Sequence, residues 1–303
     1  MNWDEAVERF NNYLLLEKAF SKNSIEAYIR DIGKFVKYGM TSELAPETVT
    51  AEDIDAFLVS ESVIRMSKNS QARMISSIRA FFKYLVYDEL IPKDPSRLTD
   101  FPRKDNYLPT VLTVSEIERM LNSIPIDKPE GQRNKTIIET LYSCGLRVSE
   151  LVNLKISNIN FRQDFLRIKG KGNKERILPL GKMVKKEIKC YLKFYRSNID
   201  IQKKYEDFLF LNKKGSSLSR MTVFNIVKQV AADAGIRKNI SPHTLRHSFA
   251  SHLVNGGADL RAVQDMLGHK SILTTEIYTH LDETYLKDTL YLYHPRSKYK
   301  SSK

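Results

Sequence analysis

A proline-interrupted stretch near residue 100 is the feature that most constrains how this chain can fold. The segment DPSRLTDFPRKDNYLPT, residues 94–110, holds three prolines and several charges and has no helical or strand period. Such a segment interrupts regular structure, so we expect it to be a linker between helices or strands rather than part of a helix or strand. A chain of 303 residues is long enough for two hydrophobic cores. The sequence therefore predicts two domains, residues 1–104 and 105–303.

The two predicted domains differ in charge. Residues 1–100 contain 13 Lys and Arg against 16 Asp and Glu, whereas the remainder contains 36 against 20, and the whole chain carries +13. A strongly basic region favours a polyanionic partner such as nucleic acid. All six histidines lie between His243 and His294, a concentration that surface polarity alone does not explain.

The sequence predicts a cytoplasmic protein without membrane insertion. Cys144 and Cys190 are the only cysteines and do not form a metal-type pair, so we expect two reduced thiols. The first ten residues, MNWDEAVERF, are acidic and amphipathic, which is not the pattern of a signal peptide. No apolar run reaches the roughly 18 residues that a membrane helix needs.

Apolar residues recur at helical spacing through the first hundred residues, which predicts an all-helical domain. We expect helices starting near Trp3, over about 23–38, after a capping Thr50, and over about 69–90. The apolar side of the fourth is formed by Ile75, Ile78, Phe82 and Leu85. Its other side carries Arg73, Arg79 and Lys83. This basic face is a candidate DNA contact, and the alternative is an ordinary solvated helix face.

The second domain is predicted to be mostly helical with one small antiparallel sheet, which makes the fold class mainly α. Residues 157–180 alternate as three short strands, NINF, FLRIKG and ERILPL, joined by tight turns. Thr113 and Glu116 form a capping box that begins a helix. Gly145 is placed to end a helix in a left-handed turn, and Gly268 to end another helix directly before His269.

Six side chains in the basic region suggest a chemistry. They are Arg147, Lys171, His243, Arg246, His269 and Tyr278. Guanidinium groups suit the non-bridging oxygens of a phosphate, lysine and histidine can move protons, and a tyrosine hydroxyl can attack phosphorus. Taken singly, an arginine is more often part of a surface ion pair and a tyrosine a packing residue. As an ordered set they indicate cleavage of a phosphodiester through a covalent phosphotyrosine.

A metal site is the rival interpretation of the histidine-rich region. His243 and His247 have the i, i+4 spacing of a zinc pair, but the intervening residues lack the glutamate of the HExxH pattern, and no cysteine lies nearby. We therefore predict no metal and no cofactor.

In this order, the segments GLRVSEL, GKGNKER, HTLRHSFASHL, LGHKS and TTEIYTHL resemble the tyrosine recombinase family, also described as phage integrase-like. GKGNKERILPL and the closing HPR at 294–296 are similar to the Xer type, and HPR favours its XerD branch. The resemblance covers nearly the whole chain. It implies a helical, SAM-like core-binding domain on one face of DNA and a catalytic domain on the other.

The resemblance also implies a role for each residue. Arg147 and Arg246 would hold the scissile phosphate, with His269 donating to one of its oxygens. Lys171, between two glycines, would act as general acid and Tyr278 as nucleophile. His243 is expected in the first turn of a helix, where the positive helix end favours a neutral ring that can accept a proton. Lys169 and Lys174 are the alternative lysines for the general acid and are also candidate DNA contacts. Glu150 and Glu276 match acidic positions of the family that would orient neighbours.

For the whole protein, the resemblance implies site-specific recombination of double-stranded DNA at a dif-like site, through a 3′-phosphotyrosyl link and a Holliday junction. Four protomers would assemble, either with a second Xer recombinase or as a homotetramer, and the tail from Asp282 would dock on a neighbour. An FtsK-type translocase is an expected partner. The alternatives are a mobile-element integrase, a type IB topoisomerase, and an architectural DNA-binding protein that does not cleave.

Overall fold

The chain divides into two units, residues 1–107 and 108–303. The computed structural model describes residues 1–18, 20–97, 99, 110–127, 130–170, 175–268 and 280–297, with 280–283 described in backbone only. Most of the predicted linker therefore lies outside the described residues. Within the described ranges, no helix combines the length and the apolar content needed to cross a bilayer.

Helices form the N-terminal unit within the described residues. They are α1 (Trp3–Leu16), α2 (Lys22–Thr41), α3 (Ala51–Leu58), α4 (Glu61–Ile64) and α5 (Lys68–Tyr87). Side-chain oxygens of polar residues cap four of them, as predicted for Thr50, which forms a capping box with Asp53. Helix α4, which spans a single turn, was not predicted from the sequence.

Aromatic side chains fill the core of this unit. Phe81 on α5 contacts Trp3 and Phe10 of α1, with ring centroids 6.4 and 5.3 Å apart. Phe35 of α2 packs edge-on against Phe82 at 5.8 Å. The four residues predicted to be the apolar side of α5 are all at most 3% exposed. Truncating one of the buried phenylalanines to alanine typically costs about 3–5 kcal/mol.

The C-terminal unit is mostly helical, with one small sheet. Its helices are α6 (Val114–Asn122), α7 (Gly131–Ser143), α8 (Val148–Val152), α9 (Lys182–Phe194), α10 (Arg220–Asp233), α11 (Pro242–Asn255), α12 (Leu260–Leu267) and α13 (His280–Tyr293). Helix α7 is the central element, because Ile137, Ile138 and Leu141 are fully buried and α9 and α11 both pack on it. Helices α9 and α10 were not predicted from the sequence.

The sheet is a three-stranded antiparallel meander of β1 (Ile159–Asn160), β2 (Phe165–Lys169) and β3 (Glu175–Pro179). Lys169 pairs with Glu175 across β2 and β3, at the ends that flank residues 170–174. Side chains alternate between the two faces. Leu166 and Ile168 of β2 and Leu178 of β3 are buried, and Arg176 lies in phase with Leu178. An arginine thus occupies an inward-facing position of the sheet.

The C-terminal segment packs on its own unit. The Arg296 guanidinium donates to both carboxylate oxygens of the fully buried Glu139, at 3.2 and 2.9 Å. The His294 ring contacts those of Tyr142 and Phe249. Burial lowers the pKa of His294 to about 3, so its ring is neutral at physiological pH. The HPR segment is therefore part of the core of this unit.

A candidate active site built from arginines

Arg147 is placed by a left-handed turn at the end of α7. Gly145 has φ +57°, and a Cβ there would lie 2.5 Å from a ring carbon of Phe249, so both the backbone and the packing require glycine. Two residues later Arg147 is the N-cap of α8, and its backbone N–H donates to Glu150 Oε2 at 2.8 Å. The turn at Gly145 and the hydrogen bond to Glu150 therefore fix the backbone position of Arg147.

Arg246 is held by backbone carbonyls. It lies on α11 and is 6% exposed. Its Nη1 donates to the Gly145 carbonyl at 2.6 Å and its Nη2 to the Leu267 carbonyl at 2.5 Å. These carbonyls lie at the C-terminal ends of α7 and α12, where the helix dipole attracts a cation. Burial, and next the charge of Arg147, lower the pKa of Arg246 to about 10, so it stays protonated at neutral pH.

Glu150 is the carboxylate on which three arginines converge. Arg176 donates to both of its oxygens, with two N–O distances of 2.8 Å. Arg147 Nη1 donates to Oε1 at 2.9 Å, and Arg246 Nη1 lies 3.9 Å from Oε2. Burial opposes ionisation of Glu150, but the hydrogen bonds and charge of Arg176 outweigh it and lower the pKa below its usual value. With the carboxylate ionised, three arginines leave the cluster with a net charge of +2.

The three arginines differ in exposure. The Arg147 side chain is 36% exposed, whereas those of Arg246 and Arg176 are 7% and 6% exposed. Arg147 also donates to the Gly268 carbonyl at 3.3 Å. His243 is exposed on α11, one turn before Arg246. The cluster thus presents a partly open guanidinium backed by two buried ones, an arrangement that can bind an anion such as a phosphodiester.

The structure brings together Arg147 and Arg246 of the six predicted residues, with His243 on the same helix as Arg246. Lys171, His269 and Tyr278, and also Lys174 and Glu276, lie outside the described residues. Described elements flank them: β2 and β3 bracket Lys171, and Gly268, left-handed at φ +63°, ends α12 directly before His269.

Arg176 is the site residue that the sequence analysis missed. A signal was available, because alternation in ERILP places it on the same side of β3 as Leu178. A charged residue at an inward position indicates a buried partner.

The proposed DNA contacts outside the cluster have different surroundings. Arg73 Nη1 lies 2.9 Å from the buried carboxylate of Asp31 and remains 39% exposed. Arg79 donates to the Thr99 carbonyl. Lys83 is exposed on α5, and Lys169 is exposed 3.5 Å from Glu175. Among the described side chains, no group of three or more His, Cys, Asp or Glu is placed to hold a metal ion.

Comparison with known families matches both units. Residues 110–284 match the Phage integrase family, and residues 7–89 match the phage integrase N-terminal SAM-like domain. The predicted fold class, a SAM-like helical domain followed by a mostly helical catalytic domain, is confirmed.

Curated relatives cover almost the full chain. The tyrosine recombinase XerD of Listeria innocua is 42% identical over 296 residues, which span 97% of this chain and 100% of the relative. The XerD of Chlorobaculum tepidum is 41% identical over 297 residues, covering 97% of each chain.

The chain also resembles solved structures of recombinases bound to DNA. XerH bound to a palindromic difH substrate in a post-cleavage complex superposes with a TM-score of 0.68 at 27% identity, covering 88% of this chain and 79% of that one. A lambda integrase dimer bound to a core site has a TM-score of 0.69 at 18% identity, covering 91% and 99%, which is a likeness of fold alone. The chain belongs to the phage integrase family of tyrosine recombinases, enzymes that cut and rejoin DNA, and within that family to the Xer type.

Proposed function

We propose that this enzyme is a site-specific recombinase that resolves chromosome dimers at a dif-type site. The observation that carries the proposal is the cluster around Glu150, where Arg147 and Arg246 approach one carboxylate and retain a net positive charge. Transfer of a phosphoryl group needs such charge, because negative charge on the phosphate oxygens must be stabilised as phosphorus becomes pentacoordinate. The relatives named XerD and the XerH complex with difH support this substrate class.

The proposed reaction uses a covalent intermediate. The Tyr278 hydroxyl attacks the scissile phosphorus, a new O–P bond forms, and the bond from phosphorus to the 5′ oxygen breaks. His243 accepts the tyrosine proton and Lys171 donates one to the departing 5′ oxygen. Arg147, Arg246 and His269 would contact the non-bridging oxygens. The 5′-hydroxyl of a partner duplex then attacks the phosphorus of the phosphotyrosine, and the bond from phosphorus to the Tyr278 oxygen breaks. Rejoining therefore requires neither ATP nor a metal ion.

In the proposed assembly, the two domains hold opposite faces of the DNA. Residues 1–104 would bind one face of the duplex, with Arg73, Arg79 and Lys83 as contacts, and residues 105–303 the other, with Lys169 and Lys174 near the cleavage point. A tetramer, formed with a second Xer recombinase or by this chain alone, would act in the cytoplasm under an FtsK-type translocase. The tail from Asp282, whose Leu290 and Arg296 are buried in its own unit, would leave this position to contact a neighbouring protomer.

Covalent trapping tests the chemistry. The protein is incubated with a nicked suicide duplex carrying a dif-like site, in EDTA, and adducts are separated on a denaturing gel. We expect an adduct that survives EDTA and is absent from the matched Tyr278→Phe variant. A retarded native complex without any adduct, even after a second Xer recombinase is added, would contradict the proposal and favour a protein that binds without cutting.

A further inference from the structure

Arg176 has no role in the proposed reaction, yet it makes more contacts inside the arginine cluster than the two arginines assigned to the phosphate. It is 5% exposed. Its Nη1 and Nη2 each donate to one oxygen of Glu150 at 2.8 Å, and its Nε donates to the Met266 carbonyl at 2.9 Å. Nε, Nη1 and Nη2 therefore all donate hydrogen bonds, to acceptors on the two helices α8 and α12.

Through these bonds Arg176 connects three places in the chain. Its own strand, β3, begins directly after residues 171–174, which include Lys171. Glu150 lies on α8, whose N-cap is Arg147. Met266 is near the end of α12, two residues before the left-handed Gly268. A Cβ on Gly268 would lie 3.1 Å from Arg176 Cδ, so the backbone also closes against the arginine's aliphatic stem.

We propose that Arg176 is a positioning residue for DNA cleavage, which neutralises Glu150 and holds it so that Arg147 and Arg246 keep their charge available to the phosphate. This inference rests on the proposed function, since it assumes that those two arginines contact the scissile phosphate. It adds a seventh residue to the six recognised in the sequence.

The hydrogen bonds of Glu150 give the physical reason. Oε1 accepts from both Arg147 and Arg176, and Oε2 accepts from the Arg147 backbone N–H and Arg176, with Arg246 3.9 Å away. Without Arg176, the carboxylate would be shared by Arg147 and Arg246 alone. It would then compete with the phosphate for their donors and draw their guanidinium groups away from it.

Lysine cannot replace arginine in this position. Its ammonium keeps the charge, but it lacks the planar fork that bonds two carboxylate oxygens and a third acceptor at once. Arg176→Lys therefore preserves the charge of the cluster while removing its geometry. Since a displacement of about 1 Å at a reacting centre can cost about 100-fold in rate, we expect a large kinetic effect from a small structural one.

The test compares single-turnover cleavage of the suicide duplex with equilibrium binding to an uncut duplex, in the full-length protein. For Arg176→Lys we expect adduct formation to slow by about 100-fold while duplex affinity changes by no more than about threefold. Arg133→Lys is the matched control, because Arg133 is a 6% exposed arginine of the same unit that bonds the Leu211 carbonyl at 3.2 Å, outside the cluster. We expect it to change the melting temperature without changing the cleavage rate per folded molecule.

A double-mutant cycle separates positioning from general stability. If Arg176 acts through Glu150, Arg176→Met combined with Glu150→Gln should cleave no more slowly than the slower single variant, because residues that act as a unit are non-additive. The inference is overturned if the two losses multiply, if Arg176→Lys cleaves within about twofold of the wild type, or if Arg133→Lys loses cleavage equally. Absence of an adduct with the wild-type protein would instead count against the proposed function, so the two failures are distinguishable.

Discussion

Two buried carboxylates beside arginines, Asp31 in the N-terminal unit and Glu150 in the C-terminal unit, behave in opposite ways. In the N-terminal unit, Asp31 meets Arg73 at 2.9 Å and accepts from Ser77 at 3.2 Å, but its Oδ1 is buried without a hydrogen-bond partner. Burial is the largest influence and raises its pKa above the usual value. Glu150 in the C-terminal unit has donors on both oxygens, and its pKa is lowered.

The difference teaches that the number of donors, rather than burial itself, decides whether the pKa of a buried carboxylate is raised or lowered. Arg73 is more than one third exposed and supplies Asp31 with a single close contact, whereas Arg176 supplies Glu150 with two and is itself buried. A buried ion pair stabilises a fold only when its remaining hydrogen-bonding positions are satisfied. The cluster at Glu150 meets that condition.

The largest effect is expected for Arg246→Ala. In the proposed mechanism Arg246 contacts the scissile phosphate, and such a contact contributes more to the transition state than to the whole DNA interface. Cleavage should therefore fall by about 1000-fold while duplex binding stays nearly intact. Single-turnover cleavage and a binding titration measure the two. A parallel loss of binding would mean that Arg246 is a structural or general positioning contact.

Glu150→Gln should be the most destabilising of the carboxylate changes. The substitution leaves three arginines without their counter-charge. Breaking a buried ion pair in this way lowers the free energy of unfolding by about 3 kcal/mol or more. Trp3 is the chain's single tryptophan and lies in the N-terminal unit, so its fluorescence reports on that unit during urea unfolding. We expect the unfolding transition seen by circular dichroism to shift to lower urea concentration, and the transition seen by Trp3 fluorescence to stay at the wild-type concentration. Equal shifts in both signals would show that the effect is not local to the cluster.

The local architecture of both units follows from short-range patterns. Helical periodicity placed Ile78, Phe82 and Leu85 in the core because packing in a helix repeats every 3.6 residues. The capping boxes at Thr50 and Thr113 are likewise encoded within four residues.

Long-range contacts were beyond such patterns. Arg176 reaches Glu150 across 26 positions and the Met266 carbonyl across 90, so no local spacing could reveal that they meet. Helix α9 was missed because lysines dominate its exposed side, although Val184, Ile188 and Tyr191 are fully buried on the other. For the site, the sequence predicted Arg147 and Arg246 from their motifs, but not the carboxylate-centred cluster that brings them together.

Lys83→Ala tests whether the N-terminal unit contributes binding rather than chemistry. Lys83 is exposed on α5, so its loss should leave the core unchanged. Removal of one phosphate contact should weaken binding uniformly across sequences and reduce the slope of log affinity against log salt by about 1. Cleavage per bound complex should match the wild type. An unchanged salt slope would remove Lys83 from the DNA surface.

Asp31→Asn should have the smallest effect, and its sign should depend on pH. A raised pKa in the folded state means that Asp31 contributes most stability below its ordinary pKa of 3.8, and that this contribution is lost as pH rises through the folded value. At pH 7 the variant should therefore be within about 1 kcal/mol of the wild type, or more stable.

Glu150 should show the opposite pH dependence. Its contribution is present above the ordinary pKa of 4.5 and is lost as pH falls below it. Urea unfolding of the wild type and the two carboxylate variants between pH 3 and pH 7 measures both. The same pH dependence for both carboxylates would contradict the contrast between them.

The two carbonyls that hold Arg246 have a consequence for protein engineering. Every residue type has a backbone carbonyl, so the anchor offered by Leu267 does not depend on which side chain stands there, and the anchor at Gly145 depends on its left-handed turn. Exposed side chains near the end of α12 can therefore be varied while the hydrogen bonds that hold Arg246 are kept. Gly145 and Gly268, which are both left-handed, are positions that a library of such variants must leave unchanged.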